Sequence, residues 1–509
     1  MDGRKKLYII GVDSAPLWII KDLQKQYRLS GFTKFLDEGV LMDMESTMPP
    51  MTGPSWPSIY TGFRPGAHGV PEFLKMERNY TKSVVYYDTR IKAPFWDVMA
   101  KQGYKCLVVT PAMLVKPSDE PNVDMITGFP LPAKFSSKRI RDIAGKHGFS
   151  GEPEIEKEMK SGELSLKDSA SIYLGGGTKK RIAVSKELID GGDYDLAFIC
   201  FTEQDRMQHF SLNKPEWKDL VMPFYEEISD FLLWVHARAE KEGAEVMVIS
   251  DHGAQPIDEK FITNGWMINN GFIKLDESIE KSMRKNGGGK IKYSMREKLL
   301  KTTLRKKVYD KLPKIGKNVV KTIVKKGLSG TSEGDYMRIH DFDFDMGKTL
   351  AFASIANCPV CTIYINDSRF DKGIVKQEEK QALKQKIREE LMKVKNDKEE
   401  QIILETWDAD GYYEGTNLFI APDVFAEIRP GYIMDAFGFL KSGKLFIKPE
   451  PAKCGDHLRN GIFGILNYGN RIDYAAIARQ KLYVYNVAPT VFKLFGIKHD
   501  TDPRYGPIV

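Results

Sequence analysis

Long apolar runs are missing from this chain: no stretch approaches the roughly 18 consecutive apolar residues that a membrane-spanning helix needs. Cysteine is scarce, five in 509 residues, an odd number without regular spacing. That excludes a disulfide framework and reads as reduced thiols in the cytoplasm. The one CxxC, Cys358-Pro359-Val360-Cys361, has no second CxxC to complete a zinc knuckle and reads as buried structural thiols. A signal peptide is not expected either. The opening Met1-Asp2-Gly3-Arg4-Lys5-Lys6 is charged, but Asp13 breaks the apolar run behind it and no small-residue cleavage site follows. There is no internal repeat and no low-complexity tract. What is present, 42% hydrophobic and 28% charged residues, is an ordinary soluble globular composition.

The net charge of +7 is concentrated in one place. Residues 281–326 hold seventeen Lys/Arg against Glu297 and Asp310, a local +15 that leaves the remainder at −8. Asn286-Gly287-Gly288-Gly289 breaks the chain there, and Leu299, Leu300, Leu304, Val308, Leu312 and Ile315 then recur at roughly helical spacing among lysines. The spacing predicts an inserted basic helical cap over 275–339, set into a core formed by 1–274 and 340–509. Its plainest reading is a solvated basic face covering the core. Two functional readings stand beside that one, attraction of an anionic substrate and peripheral contact with an anionic membrane. Specific nucleic-acid binding is not expected.

The rest of the chain alternates strand-like and helix-like segments, the rhythm of an α/β fold with a mostly parallel sheet. Leu7 to Val12, Cys106 to Val109, Asp195 to Phe201 and Glu245 to Ile249 are short buried runs, and Leu220 to Lys241 is a long amphipathic helix. In such sheets ligands collect at the carboxyl ends of strands. Asp13 leaves the first of these runs, where it is either a helix N-cap or a metal ligand. Asp205 and His209 follow the third, four residues apart, so a helical turn projects both from one face. Asp251-His252 follow the fourth, and His457 stands in a Gly-Asp-His predicted to be a loop. Three carboxylates and three imidazoles suit two ions of the zinc or manganese class, zinc ahead of manganese, better than magnesium or calcium. Thr52 closes a proline-rich turn just before a predicted helix running from Pro54 towards Gly62. It is either an ordinary N-cap or a hydroxyl at a phosphate-binding helix start.

These residues resemble the alkaline phosphatase superfamily, in its type I phosphodiesterase/nucleotide pyrophosphatase branch, and among them the predicted AlkP-type phosphohydrolases and phosphomutases. The likeness follows the family's order: a first metal Asp at Asp13; a Thr-x-Pro with Thr-Gly nine residues on, at Thr52, Pro54 and Thr61-Gly62; Asp-x-x-x-His at Asp205 and His209; Ser-Asp-His-Gly at Ser250 to Gly253; a last His at His457. It implies an alkaline phosphatase-like three-layer core and a metal-dependent hydrolase that cleaves phosphodiester or phosphoanhydride bonds. Thr52 would be the nucleophile and form a phosphothreonine. One ion would sit with Asp13, Asp251, His252 and the Thr52 oxygen, the other with Asp205, His209 and His457. Gly53 and Phe73 are the candidate substrate contacts; Phe73 stands near the position where family phosphodiesterases commonly carry an Asn for a phosphoryl oxygen. The sequence Thr52-Gly53-Pro54-Ser55-Trp56 lacks the C/S-x-P-x-R of sulfatases, which argues against that activity. The substrate is expected to be a small anionic phosphoester, nucleotide or lipid-linked. The competing readings are a phosphomutase like cofactor-independent phosphoglycerate mutase, whose branch normally uses serine, and a membrane-associated binding protein with structural metals.

Overall fold

The computed structural model describes residues 5–277, 336–338, 343–354, 356–415, 419–436, 438–440, 443–449, 453–469 and 472–509. The basic segment 281–326, with the cap and membrane contact expected of it, lies outside the described residues. Leu275 pairs with Phe344 across an antiparallel bridge, so the chain on the two sides of that segment meets at one point. Among the described residues no helix is long and apolar enough to cross a membrane.

A seven-stranded sheet organises the molecule, in the order Val40–Glu45, Asn460–Asn467, Glu245–Ile249, Leu7–Val12, Leu196–Phe201, Cys106–Val109, Val123–Ile126. Glu245–Ile249 through Val123–Ile126 pair in parallel, and Asn460–Asn467 runs antiparallel to both of its neighbours. Leu7–Val12 shows why these strands are unbroken apolar runs. Tyr8, Ile10 and Val12 pack into one core, while Leu7 and Ile9 pack into the other, so both faces are covered. The long helix Trp217–Glu242 contributes Val221, Phe224, Ile228 and Leu232 to the first core. Thr52–Thr61 and Val487–Phe495 close the second. The three layers are therefore helix, sheet and helix.

A second unit packs beside the carboxyl edge. It holds a four-stranded antiparallel sheet (Ala351–Ala353, Val360–Ile365, Val424–Ile428, Ile403–Asp408), the helix Gln377–Leu391 and a core of its own. Cys361 is free and buried in this sheet, and Cys358, also free and buried, ends the strand Ala356–Cys358, which pairs with Tyr432–Asp435 of another sheet.

One glycine decides how near the helix Thr52–Thr61 comes. A Cβ on Gly11 would lie 2.7 Å from the Trp56 indole, so only glycine lets that helix settle against the first strand.

Two sequence expectations need correction. Gly455–Leu458 is not a loop but a strand, paired antiparallel with Gly253–Pro256. Its polar residues hide this, because the partner strand, not an apolar pattern, specifies it. The stretch 129–165 is polar and rich in Lys and Gly, which in the sequence reads as surface elaboration, yet it contains helices Lys138–Lys146 and Glu156–Ser161, which place Ile140, Ala144 and Met159 in the first core.

Candidate active site

Every predicted metal-ligating residue comes to the carboxyl edge of the central sheet. Asp13, Asp251 and His252 offer one ligand atom each within 4.8 Å of one another, and so do Asp205, His209 and His457. The groups abut: the rings of His252 and His457 are 4.0 Å apart, and those of His209 and His457 5.0 Å. Asp13 caps no helix, since the next one begins at Leu17 with Pro16 at its N-cap. Thr52 is no cap either. It is the first residue of its helix, Met51 holds the N-cap position, and Thr52 Oγ1 lies 3.2 Å from His252 Nε2.

The hydrogen bonds around these six side chains follow one pattern. Each carboxylate has one oxygen fixed by a donor: Trp56 Nε1 to Asp13 Oδ2 at 3.0 Å, the Ser14 amide to Asp251 Oδ1 at 3.2 Å, and Arg206 Nη1 to Asp205 Oδ2 at 2.9 Å. The other oxygen of each (Asp13 Oδ1, Asp251 Oδ2, Asp205 Oδ1) is buried and has no hydrogen-bond partner. The histidines match. His252 Nδ1 meets the Gly253 carbonyl at 3.1 Å, His209 Nδ1 that of Gly455 at 3.0 Å, and His457 Nδ1 that of Pro50 at 2.9 Å. A carbonyl can only accept, so each Nδ1 carries the proton and each Nε2 presents a lone pair. Imidazoles oriented through Nδ1 and carboxylates held at one oxygen are the arrangement that metal ligands adopt.

Electrostatics points the same way. Burial lifts Asp13 well above the usual carboxylate range, and the Asp251 and Asp205 charges add to it. Burial also pushes Asp251 to about 6 against the pull of His252 and the Ser14 amide. Asp205 moves the other way: burial raises it, but His209, Arg206 and His457 outweigh burial and hold it at about 2. Burial lowers His209, and lowers His457 well below its ordinary value with help from its two imidazole neighbours. Buried carboxylates that repel and imidazoles that stay neutral fit divalent cations, which would satisfy both.

The backbone is strained to build this. Ser14 holds φ at 58°, the left-handed region that a serine adopts only at a cost, and that conformation aims its amide at Asp251. Of the two candidate substrate contacts, Gly53 lies in the first turn after Thr52, and a Cβ on it would be 3.1 Å from the Phe73 amide. Phe73 is half-buried, with its ring edge-to-face on Phe129 at 5.9 Å. Sequence reasoning passed over Trp56 and Arg206. Trp56 had a signal, since it stands four residues after Thr52 and so on the same helix face. Arg206 had none beyond its place between Asp205 and His209.

A sequence profile described as Type I phosphodiesterase / nucleotide pyrophosphatase matches residues 7–436. No curated protein matches the chain. Among solved structures, phosphonoacetate hydrolase from Sinorhizobium meliloti is similar with a TM-score of 0.51 at 12% identity, over 97% of this chain and 95% of that one. Murine ectonucleotide pyrophosphatase/phosphodiesterase 5 gives 0.46 at 13% identity, over 98% and 97%.

Proposed function

The chain belongs to the type I phosphodiesterase/nucleotide pyrophosphatase family and is a hydrolytic enzyme, and from that premise we propose that it cleaves phosphodiester or phosphoanhydride bonds through a phosphothreonine at Thr52. The observation that carries the reading is the shared pattern of the six donors, each tethered on one side and left open on the other, beside a hydroxyl at a helix start. Asp13, Asp251 and His252 would hold one divalent cation with the Thr52 oxygen, and Asp205, His209 and His457 a second, zinc or manganese by the donor set. When bound, such a pair supplies Lewis-acid stabilisation of negative charge at both ends of an in-line displacement.

The chain's own residues do the rest. Thr52 Oγ1, its hydroxyl proton lost to solvent, attacks phosphorus as the bond to the leaving oxygen breaks on the side of Asp205, His209 and His457, and the departing oxygen leaves as the anion or takes a proton from water. The N–H groups of Thr52 and Gly53 would face the phosphoryl oxygens, since Pro54 carries none and that of Ser55 is taken by the Met51 carbonyl. Water then displaces Thr52 from phosphorus, so configuration is retained over the two inversions. His252 is held in the tautomer that leaves Nε2 open towards the hydroxyl. A small phosphoester, nucleotide or lipid-linked, is the proposed substrate class. Threonine at position 52, where the mutase branch normally uses serine, favours hydrolysis over phosphoryl return to substrate.

Thr52→Ala tests the reading. Hydrolysis of nitrophenyl phosphodiesters by protein reloaded with zinc or manganese should fall at least about a thousandfold, with metal content unchanged. Turnover at the wild-type rate would remove Thr52 from the mechanism.

A further inference from the structure

We infer that Arg206 contacts substrate and reads negative charge on its leaving half, which makes this enzyme favour phosphoanhydrides, whose leaving group is itself a phosphate, over diesters of uncharged alcohols. The inference rests on the proposed function, in which the leaving oxygen departs beside Asp205.

Arg206 is fixed on three sides. Its Nε donates to Glu152 Oε1 at 3.0 Å, its Nη1 to Asp205 Oδ2 at 2.9 Å, and its guanidinium lies over the Phe129 ring, 3.9 Å from the centroid. Among the described residues Nη2 has no hydrogen-bond acceptor, it is not a buried orphan, and the Arg206 side chain keeps 13% of its surface accessible. Phe129 meets Phe73 edge-to-face, and the Phe73 amide lies against Gly53. One continuous wall therefore runs from the residue after the nucleophile, through two half-buried phenyl rings, to the carboxylate of the second donor group.

The position of the guanidinium decides what it can bind. Asp205 offers Oδ1 towards His209 Nε2, 3.4 Å away, and Oδ2 to Arg206. Arg206 thus stands one carboxylate away from the point where the leaving oxygen departs, within reach of the next charged group on that half of the substrate. An arginine is cationic at any working pH, and ion pairs with Glu152 and Asp205 hold this guanidinium in place. A planar donor already locked by packing forms an ionic hydrogen bond with little further loss of side-chain freedom. The plainer alternative is that Arg206 only orients Asp205. In that case its loss would affect all substrates alike.

The test compares wild type, Arg206→Gln and Arg206→Lys, each with its metal content measured, on two substrates. One is a nucleoside triphosphate that releases pyrophosphate; the other is bis(4-nitrophenyl) phosphate. Arg206→Gln should lower kcat/KM for the triphosphate roughly 10- to 100-fold more than for the diester, the worth of one charge-assisted hydrogen bond. The dissociation constant of inorganic pyrophosphate, measured by calorimetry on metal-loaded protein, should rise by a similar factor. Arg206→Lys keeps the charge but loses the planar fork; it should show the same selective loss in milder form, and it serves if the glutamine variant does not fold. Equal losses on both substrates, or unchanged pyrophosphate binding, would overturn the inference. A diesterase that Thr52→Ala inactivates but Arg206→Gln affects without discrimination would leave the proposed function standing and remove only this residue's role. If wild type cleaves neither substrate the proposed function fails, and pyrophosphate binding still decides whether Arg206 takes an anion.

Discussion

In protein stripped of divalent cations, Asp251 is a buried carboxylate with one oxygen unpartnered, and it titrates at about 6 against an ordinary 3.8. Because the folded value lies above the unfolded one, the unfolded state loses its proton first as pH rises. Stability therefore falls between about pH 4 and 6, and the full cost is present at pH 7. A difference of about two units corresponds to ~3 kcal/mol. Asp251→Asn removes the charge and keeps the shape: Oδ1 still accepts from the Ser14 amide, and the amide nitrogen replaces Oδ2, which lies 3.2 Å from the open Nε2 of His252. For a chain of 509 residues the unfolding entropy is about 1 kcal/mol per degree, so the variant should melt about 3 °C above wild type in chelator at pH 7. The gap should close near pH 4. In saturating zinc or manganese the order should reverse, because wild type gains about 2.7 kcal/mol at a hundredfold excess over Kd while the variant has lost a ligand. Differential scanning calorimetry in chelator and in metal reads both signs. A variant less stable than wild type in chelator, or a wild type whose melting ignores metal, would refute the reasoning.

Two further outcomes follow from the surroundings of the site. Trp56→Phe keeps most of the ring stacked near Tyr60 but removes the N–H that fixes Asp13 Oδ2; metal affinity, measured by competition with a chelator, should drop about 10- to 100-fold, and an unchanged affinity would mean that Asp13 needs no orienting donor. His68 is buried with its Nε2 2.9 Å from Ser58 Oγ, and burial lowers it from 6.5 to about 3. The unfolded state therefore takes up a proton that the folded state refuses: stability is complete above about pH 7, falls as pH drops through 6.5, and has lost ~2 kcal/mol by pH 5. Urea titrations at pH 7 and pH 5 should show a smaller acid loss in His68→Asn, and equal losses would exclude His68 as a cause.

Much of this architecture could be read from the chain, for a definite reason. A strand covered on both faces must be apolar throughout, so Leu7–Val12, Leu196–Phe201 and Glu245–Ile249 identify themselves, and the acids and imidazoles at their exits mark the functional edge. Where the local signal is weak, it misleads. Gly455–Leu458 has no apolar alternation, and only its pairing with Gly253–Pro256 makes it a strand and brings His457 to the other ligands. The roles of Trp56 and Arg206 depend on Asp13 and Glu152, which lie 43 and 54 residues away along the chain. No pattern confined to a short window reports such contacts.

The donor pattern also separates ligand candidates from neighbouring acids that a count of charges would include. Asp456 adjoins His457, yet both of its oxygens are satisfied, Oδ1 by the His457 amide at 2.8 Å and Oδ2 by Lys453 Nζ at 2.7 Å. Glu152 is likewise complete, taking Arg206 Nε on one oxygen and the Thr202 hydroxyl on the other. Glu203 does leave one buried oxygen unpartnered, but its other oxygen pairs with Arg181 at 2.5 Å, and an ion pair within the fold answers its charge. In Asp13 and Asp251 no cationic side chain bonds the carboxylate, and in Asp205 the one that does leaves Oδ1 open beside His209. Leaving three buried carboxylate oxygens bare beside three outward lone pairs costs several kcal/mol in the metal-free fold. A purely structural cluster would have closed those oxygens with donors, as Asp456 and Glu152 are closed. A divalent cation held between them would answer that cost, which is why these six side chains, and not Asp456 or Glu152, are the ligand candidates.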